Sequence, residues 1–322
     1  MRLTPTGDAC PGCASTESRA LFHAGDRLFQ TTKKSFLVVQ CGGCSLIRLY
    51  PWPDIDELKS YYPEAYWFNP GASTAAYLEE MYRRFVLRDH VNFAEGALRR
   101  AGLRGTVLDV GCGGALFGRL LGERGYRCFG LDFSHDAAKV GWSVNGVPVL
   151  VGDFMRAPYR EGTFAAVTMF HVLEHLYDPG AAVRAVGRLL RPDGRLIVQV
   201  PNASCWQFLL FGEKWNGIDV PRHLVNFRQS DIEALLDFCG FEVIRRKHFS
   251  LRDNPAGLAS SLAPGLDPMS RRVRKVVESE GVRLLRDLMY LGLTVAAIPF
   301  TLIEAVCGAG STIMLEARKK PA

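Results

Sequence analysis

Three residues in the stretch FHVLEHLYDP, namely His171, Glu174 and His175, carry the spacing H-x-x-E-H. On a helix the two imidazoles would stand one turn apart on a shared face with a carboxylate beside them. That arrangement can hold zinc and activate water for hydrolysis. A second cluster is made of thiols: Cys10-Pro-Gly-Cys13 and, after twenty-seven residues, Cys41-Gly-Gly-Cys44. Two C-x-x-C pairs with glycine in each turn supply four thiolates for a closed tetrahedral zinc site, which braces a fold and leaves no ligand position open for chemistry. The segments RALFHAGDRLF and KSFLVVQC between them read as strands of a zinc ribbon, set here at residues 1–55.

The richest polar constellation lies between these two. Val107-Leu108-Asp109-Val110 reads as a short buried strand, broken by Gly111-Cys112-Gly113-Gly114 and followed by a helical pattern through Leu116, Phe117, Leu120 and Leu121. Glycines there let the backbone turn tightly beside a ligand, and the helix start offers free N–H groups. A second strand, 127–131, ends at Asp132, at a distance from Asp109 that suits hydrogen bonds to ribose hydroxyls. A third, 147–151, leads to Asp153 and Phe154. A fourth, 164–170, runs into the H-x-x-E-H string. A helix over 180–190, a turn at 191–194 and a fifth strand over 195–200 follow. Ser230 is positioned to cap a helix over 232–238, a sixth strand is expected over 241–249, and STIMLEAR (311–318) reads as a seventh. Strands alternating with helices imply an α/β, doubly wound, seven-stranded and mostly parallel sheet, whose ligands bind at the carboxyl ends of the strands. The core is set at 56–250. Residues 251–322 are read as an apolar helical insertion followed by the final strand.

At this point the sequence resembles a family. DVGCGGA is similar to the first motif, D-x-G-x-G-x-G, of class I S-adenosylmethionine-dependent methyltransferases, with Ala115 where the third glycine stands; that departure asks for slightly more room. The resemblance covers roughly 75–250. It implies that Asp109, Gly111 and Gly113 hold the methionine part of the cofactor, that Asp132 with Phe133 meets the ribose, and that Asp153 with Phe154 frames the adenine. Ubiquinone-type O-methyltransferases often read H-x-x-E-H after the fourth strand, so Phe170 and His171 are expected to border the cofactor. The zinc-hydrolase reading of the string is set aside. His171 ends a buried strand, and Pro179 interrupts the pattern eight residues later.

The substrate side is expected in PNASCWQFLLFGEKWNGIDVPRHLVNF. Trp206, Phe208, Phe211 and Trp215 form an aromatic cluster, and Asp219, Arg222 and His223 follow. Direct methyl transfer needs a positioned nucleophile, and a base where the acceptor loses a proton. His223 is the first candidate for that base and His175 the second, with Glu174 beside it. The competing readings make Glu174 a pairing group within the turn, His175 a core histidine, and Arg222-His223 a clamp on Asp219.

Composition bounds the rest. The chain has 322 residues, a net charge of +6 and nine cysteines, and its first twenty residues lack a signal peptide's apolar stretch. These features point to a cytoplasmic protein with reduced thiols. The ribbon segment carries Arg2, Arg19, Arg27, Lys33, Lys34 and Arg48 against Asp8, Glu17 and Asp26, too little charge for tracking phosphates, so nucleic acid is not the expected partner. Residues 271–286 are basic, and LMYLGLTVAAIPFTLIEAV (288–306) carries one charge. A kinked hairpin lying in a membrane interface accounts for both, through 271–306 on the inner face of the membrane; a buried cap over the pocket, a dimer seam in a homo-oligomer, and a true span compete with it. The expected activity is methyl transfer to a small-molecule acceptor, lipidic or a lipid-linked sugar, with S-adenosyl-L-methionine as cofactor and structural zinc. A sugar-nucleotide C-methyltransferase, an RNA methyltransferase and a non-catalytic cofactor-binding scaffold are the rivals.

Overall fold

The buried run Val107, Leu108, Asp109 and Val110 is the middle of a sheet covered on both faces, which is why it reads as continuous apolar sequence instead of alternating. The computed structural model describes residues 9–63 and 74–321; Arg2 and Asp8 of the charge count above lie outside them. The N-terminal part holds β1 (Ser18–Gly25), β2 (Ser35–Cys41), β3 (Ile47–Tyr50) and α1 (Ile55–Ser60). The core then runs α2 (Thr74–Arg100), β4 (Thr106–Val110), α3 (Leu116–Gly122), β5 (Arg127–Asp132), α4 (His135–Ser143), β6 (Val149–Val151), β7 (Phe164–Phe170), α5 (Pro179–Leu189) and β8 (Leu190–Pro201). It continues through α6 (Trp206–Phe211), β9 (Val225–Asn226), α7 (Gln229–Phe238) and β10 (Phe241–Lys247). The last part holds α8 (Asn254–Leu262), α9 (Pro268–Val273), α10 (Glu280–Val306) and β11 (Thr312–Lys319).

The large sheet has seven strands in the order β10-β11-β8-β7-β4-β5-β6. β8, β7, β4, β5 and β6 are parallel, and β11 slots antiparallel between β10 and β8. Strand order reverses between β4 and β7, so the crevice for a ligand opens past Val110 and Phe170. One apolar cluster, with Phe117, Leu121, Val149 and Ala166, packs against α2 and α3. The other, with Phe164, Val183, Leu236 and Phe241, packs against α5 and α7 and continues into the ribbon.

The ribbon is not a separate body. Its sheet has the order β1-β2-β3-β9, and β9 belongs to the loop that carries Arg222 and His223. Ile47 pairs with Asn226 and Arg48 with Val225. The boundary at residue 55 therefore divides the sequence but not the sheet.

Several boundaries differ from expectation. The third strand is short, Val149–Val151, and the sixth stops at Lys247. The turn at 191–194 is bulged out of the long β8: Phe164 pairs with Leu190 and Ala166 with Arg195. Ser230 does not cap α7, which starts at Gln229 with the Asp231 carboxylate accepting from the Arg228 amide at 2.9 Å. Trp206 leaves the aromatic cluster and packs on Phe300 of α10 at 6.3 Å, while Phe208 and Trp215 stay together at 5.3 Å. The kinked hairpin is instead one continuous 27-residue helix, α10, with Pro299 inside it. It is not a buried cap, because most of its apolar side chains are exposed. The basic stretch before it is largely paired: Arg271 with Glu278 and Asp287, Arg286 with Glu278, and Arg272 with Glu79.

Candidate active site

The glycine turn takes its shape from backbone that only a few residue types adopt easily. Gly111 has φ +71° and Gly113 φ +50°. A Cβ on Gly111 would lie 2.6 Å from Val172, whereas one on Gly113 would meet nothing within 4 Å. Gly113 thus faces open space beside the first turn of α3, as a cradle for a ligand requires. Ala115 is the surprise. Its cost is conformational, not steric: it sits at φ +58°, left-handed, and buried, where glycine would be free of strain.

The carboxylates sort by what they bind. Asp132, almost fully buried, accepts from the Gly113 amide at 2.8 Å with one oxygen and from the Ser134 amide at 2.9 Å with the other. It locks the glycine turn to the end of β5. Asp109 accepts from Thr168 Oγ1 at 2.6 Å, tying β4 to β7; burial pushes its pKa up to about 7. Asp153 is exposed and caps a short turn through the Met155 amide at 2.9 Å. Phe154 packs into the core, while Phe133 is exposed beside Tyr62 at 5.9 Å. Phe170 is wedged between Phe117 and His90, 5.0 Å from each. These residues fit S-adenosylmethionine: an open glycine cradle, a carboxylate at the end of β5 and aromatic rings lie along one rim.

The H-x-x-E-H string is not a zincin helix. His171 ends β7 in the left-handed region at φ 56°, and Leu173–His175 is a single 3-10 turn, so the two imidazoles serve different partners. His171 Nδ1 lies 3.1 Å from Glu174 Oε1; on its other side Asp253 is 3.6 Å away and Gln199 Nε2 is 3.0 Å away. Burial opposes a charge there, but Asp253 and Glu174 outweigh it and raise the His171 pKa to about 9. His175 Nδ1 lies 3.0 Å from the Arg222 carbonyl and 2.9 Å from Tyr62 Oη. Burial, reinforced by His223, brings its pKa down to about 4, which leaves a neutral ring. His223 places Nδ1 2.9 Å from the Gly217 carbonyl, and its ring centre is 4.6 Å from that of His175.

The neutral His175 ring, with Nδ1 donating to the Arg222 carbonyl, has Nε2 as its acceptor. Glu174 lies beside the two rings, 4.0 Å from His223 Nε2, which is also 3.9 Å from Asp219, with its own Oε2 buried and accepting no hydrogen bond among the described residues. The ligand atoms of Glu174, His175 and His223 all lie within 4.8 Å of one another, a spacing that can also hold a metal ion. The structure thus brings the three candidate catalytic residues together. No motif points to Asp253 at the start of α8 or Gln199 of β8, which flank His171, or to His90 of α2, which lies 3.6 Å from Asp253. Each is an isolated polar residue in an ordinary element.

Arg222 holds this cluster to the ribbon. It grips Asp219 through Nη2 at 2.7 Å and Nε at 3.0 Å, and Asp26 of the ribbon at 2.8 and 3.1 Å. Leu224, two residues on, donates to the Glu174 carbonyl at 2.8 Å and accepts from the Leu49 amide at 3.0 Å. Arg222 therefore clamps Asp219 as the competing reading had it, and His223 Nε2 lies between Asp219, at 3.9 Å, and Glu174, at 4.0 Å.

The four ribbon cysteines converge. Cys10 and Cys44 have their sulfurs 3.6 Å apart, Cys13 and Cys41 3.5 Å, and all four lie within 4.8 Å of one another. The two knuckles repeat one geometry. Gly12 and Gly43 amides each donate to the first sulfur of their pair at 3.3 Å, and Ala14 and Ser45, just after the second cysteine, are both left-handed. Four soft donors in two matched knuckles fit zinc.

Residues 77–246 match the methyltransferase domain family. Ubiquinone biosynthesis O-methyltransferase from Pseudomonas paraeruginosa is 31% identical over 181 residues, covering 52% of this chain and 77% of that protein. The protein of the same name from Pectobacterium carotovorum is 30% identical over 182 residues, covering 52% and 75%. The solved structure of a candidate sarcosine dimethylglycine methyltransferase from Galdieria sulphuraria shares the fold, with a TM-score of 0.50 at 15% identity over 72% of this chain and 85% of that one. The sheet order, the glycine cradle at its switch point and these matches together make the chain a member of the methyltransferase domain family, an S-adenosylmethionine-dependent enzyme acting on a small molecule.

Proposed function

We propose that the protein methylates a hydroxyl on an apolar, lipidic small molecule, with His223 as the base, His175 as its neutral neighbour and Glu174 holding the pair. The observation that carries this reading is the convergence of His175 and His223 on the buried Glu174 carboxylate, with their ligand atoms within 4.8 Å of one another, just past the end of β7 and next to the glycine turn. The O-methyltransferase names of the relatives support the choice of oxygen. S-adenosylmethionine, when bound, supplies an electrophilic methyl on its sulfonium. The chain's own part is to orient the acceptor and to take its proton at His223 Nε2, while Gly217 holds the ring's other nitrogen. Because none of the nine cysteines is in a disulfide, a reducing compartment suits the protein, and we place it in the cytoplasm.

The test is methyl transfer from labelled S-adenosylmethionine to prenylated phenols, with His223→Gln and His175→Gln as variants. Both should lower kcat by about 10²–10⁴ with cofactor affinity unchanged, the span over which a positioned base acts. Turnover that survives His223→Gln, or no transfer to any phenolic acceptor, overturns the reading.

A further inference from the structure

Helix α10 is amphipathic the wrong way round for a soluble protein. Its buried positions, Thr294, Ala297, Thr301 and Glu304, are mostly polar, and they face the rest of the chain. Tyr290 on the same side reaches Ser260 of α8 at 2.9 Å, and Glu304 accepts from the Gln207 amide at 3.0 Å and its side chain at 2.8 Å. The opposite side is exposed and apolar: Leu284, Leu288, Leu291, Val295, Leu302 and Val306 form one stripe, with Leu285, Met289 and Ile303 along its flank. From 288 to 303 there is no charged residue.

We infer that this face lies in the surface of an anionic lipid bilayer, with the helix axis parallel to the membrane plane. Three observations select lipid over a second copy of the chain, and a fourth excludes a span. At 100° per residue the exposed apolar positions span an arc of about 160°, wider than the narrow seam that two paired helices share. Further exposed apolar side chains lie on α6, at Leu209 and Leu210, and just before the helix at Val276 and Val277, of which Val277 is 100% exposed. Exposed Arg274 and Lys275 precede the helix and exposed Arg283 lies 4.0 Å from Asp287, against exposed Glu280, a net positive balance that suits anionic headgroups. Finally, the polar flank is attached to the protein along its length, and β11 returns to the sheet within a few residues of Val306. By length and composition α10 is a candidate membrane span, but crossing would pull β11 away from β8.

The inference stands apart from the acceptor's identity. Its test is co-sedimentation of the full chain with vesicles of phosphatidylglycerol and phosphatidylcholine, with pure phosphatidylcholine as control. Binding should be at least 10-fold tighter to the anionic vesicles and fall with salt. Leu288→Glu and Val295→Glu, both at solvent-exposed positions, should each weaken it at least 10-fold while cofactor binding is retained. A chain that stays in solution with anionic vesicles at low salt overturns the proposal. So does a stable two-chain mass in light scattering that either glutamate variant splits into monomers, since the patch would then belong to a dimer.

Discussion

Arg222 and Asp26 form a doubly hydrogen-bonded ion pair from which water is fully excluded, joining residues 196 positions apart. One end sits in the zinc ribbon and the other beside the proposed base. The same guanidinium holds Asp219 and lies 4.5 Å over the Phe29 ring. Two segments far apart in the sequence, 26–29 and 219–222, are thereby fixed around one cation, and the ribbon becomes a wall of the candidate site.

Removing that cation should be costly. Arg222→Met leaves two buried carboxylates facing each other and should lower stability by about 3–5 kcal/mol in urea unfolding. Arg222→Lys should not restore it, since an ammonium cannot reproduce the two-sided fork. A loss below about 1 kcal/mol for the methionine variant would show that the pair is incidental.

Zinc should be bound at one ion per chain, measured by elemental analysis. Cys13→Ser and Cys44→Ser should lose it and lower the melting temperature by about 5 °C or more. Because β3 pairs with β9, the His223 imidazole signal in NMR should shift in the same variants. A His223 signal unmoved by zinc loss would separate the ribbon from the site.

Ala115→Gly should stabilise the protein. Relief of a left-handed alanine is worth about 1–2 kcal/mol, against about 0.8 kcal/mol for the buried methyl group given up. The net gain of roughly 0.5 kcal/mol, read by denaturant midpoint, should leave cofactor binding intact. Destabilisation would mean that the methyl contact outweighs the strain.

Asp109 sets a pH dependence. Its pKa is raised by burial to about 7 from an ordinary value of 3.8, so the folded state binds its proton more tightly than the unfolded chain does. The stability this contributes is full below about 3.8 and is lost as pH rises through 7. Asp109→Asn keeps an acceptor for Thr168 Oγ1 and removes the ionisation. Between pH 7 and 8.5 the variant should therefore be more stable than the parent, with weaker cofactor binding in calorimetry. A parent and variant with parallel stability profiles would contradict the assignment.

Much of this was legible in the chain because it is local. The sheet's central strands announce themselves as short apolar runs, the glycine turn as a break followed by helical periodicity, and the cysteine pairs by spacing. Each signal depends on neighbours a few residues apart, which a linear reading captures. The helix start at Gln229 and the bulge at 191–194 were misplaced because strand pairing and side-chain capping set such boundaries, not propensity alone.

What the tertiary structure decided is everything that depends on residues far apart. His175 and His223 meet across Glu174 only because β9 is drawn into the ribbon sheet. Arg222 reveals its role only once Asp26 and Asp219 converge on it. Asp253 comes beside His171 only through the return of α8. The sequence alone made α10 apolar; packing decided that its few polar residues turn inward and its leucines outward. Types and short spacings determine which elements form and which chemistry is available. The desolvated charge pairs and the orientation of a helix face follow from the one arrangement in which Arg222 meets Asp26 and Asp219 while Glu304 meets Gln207.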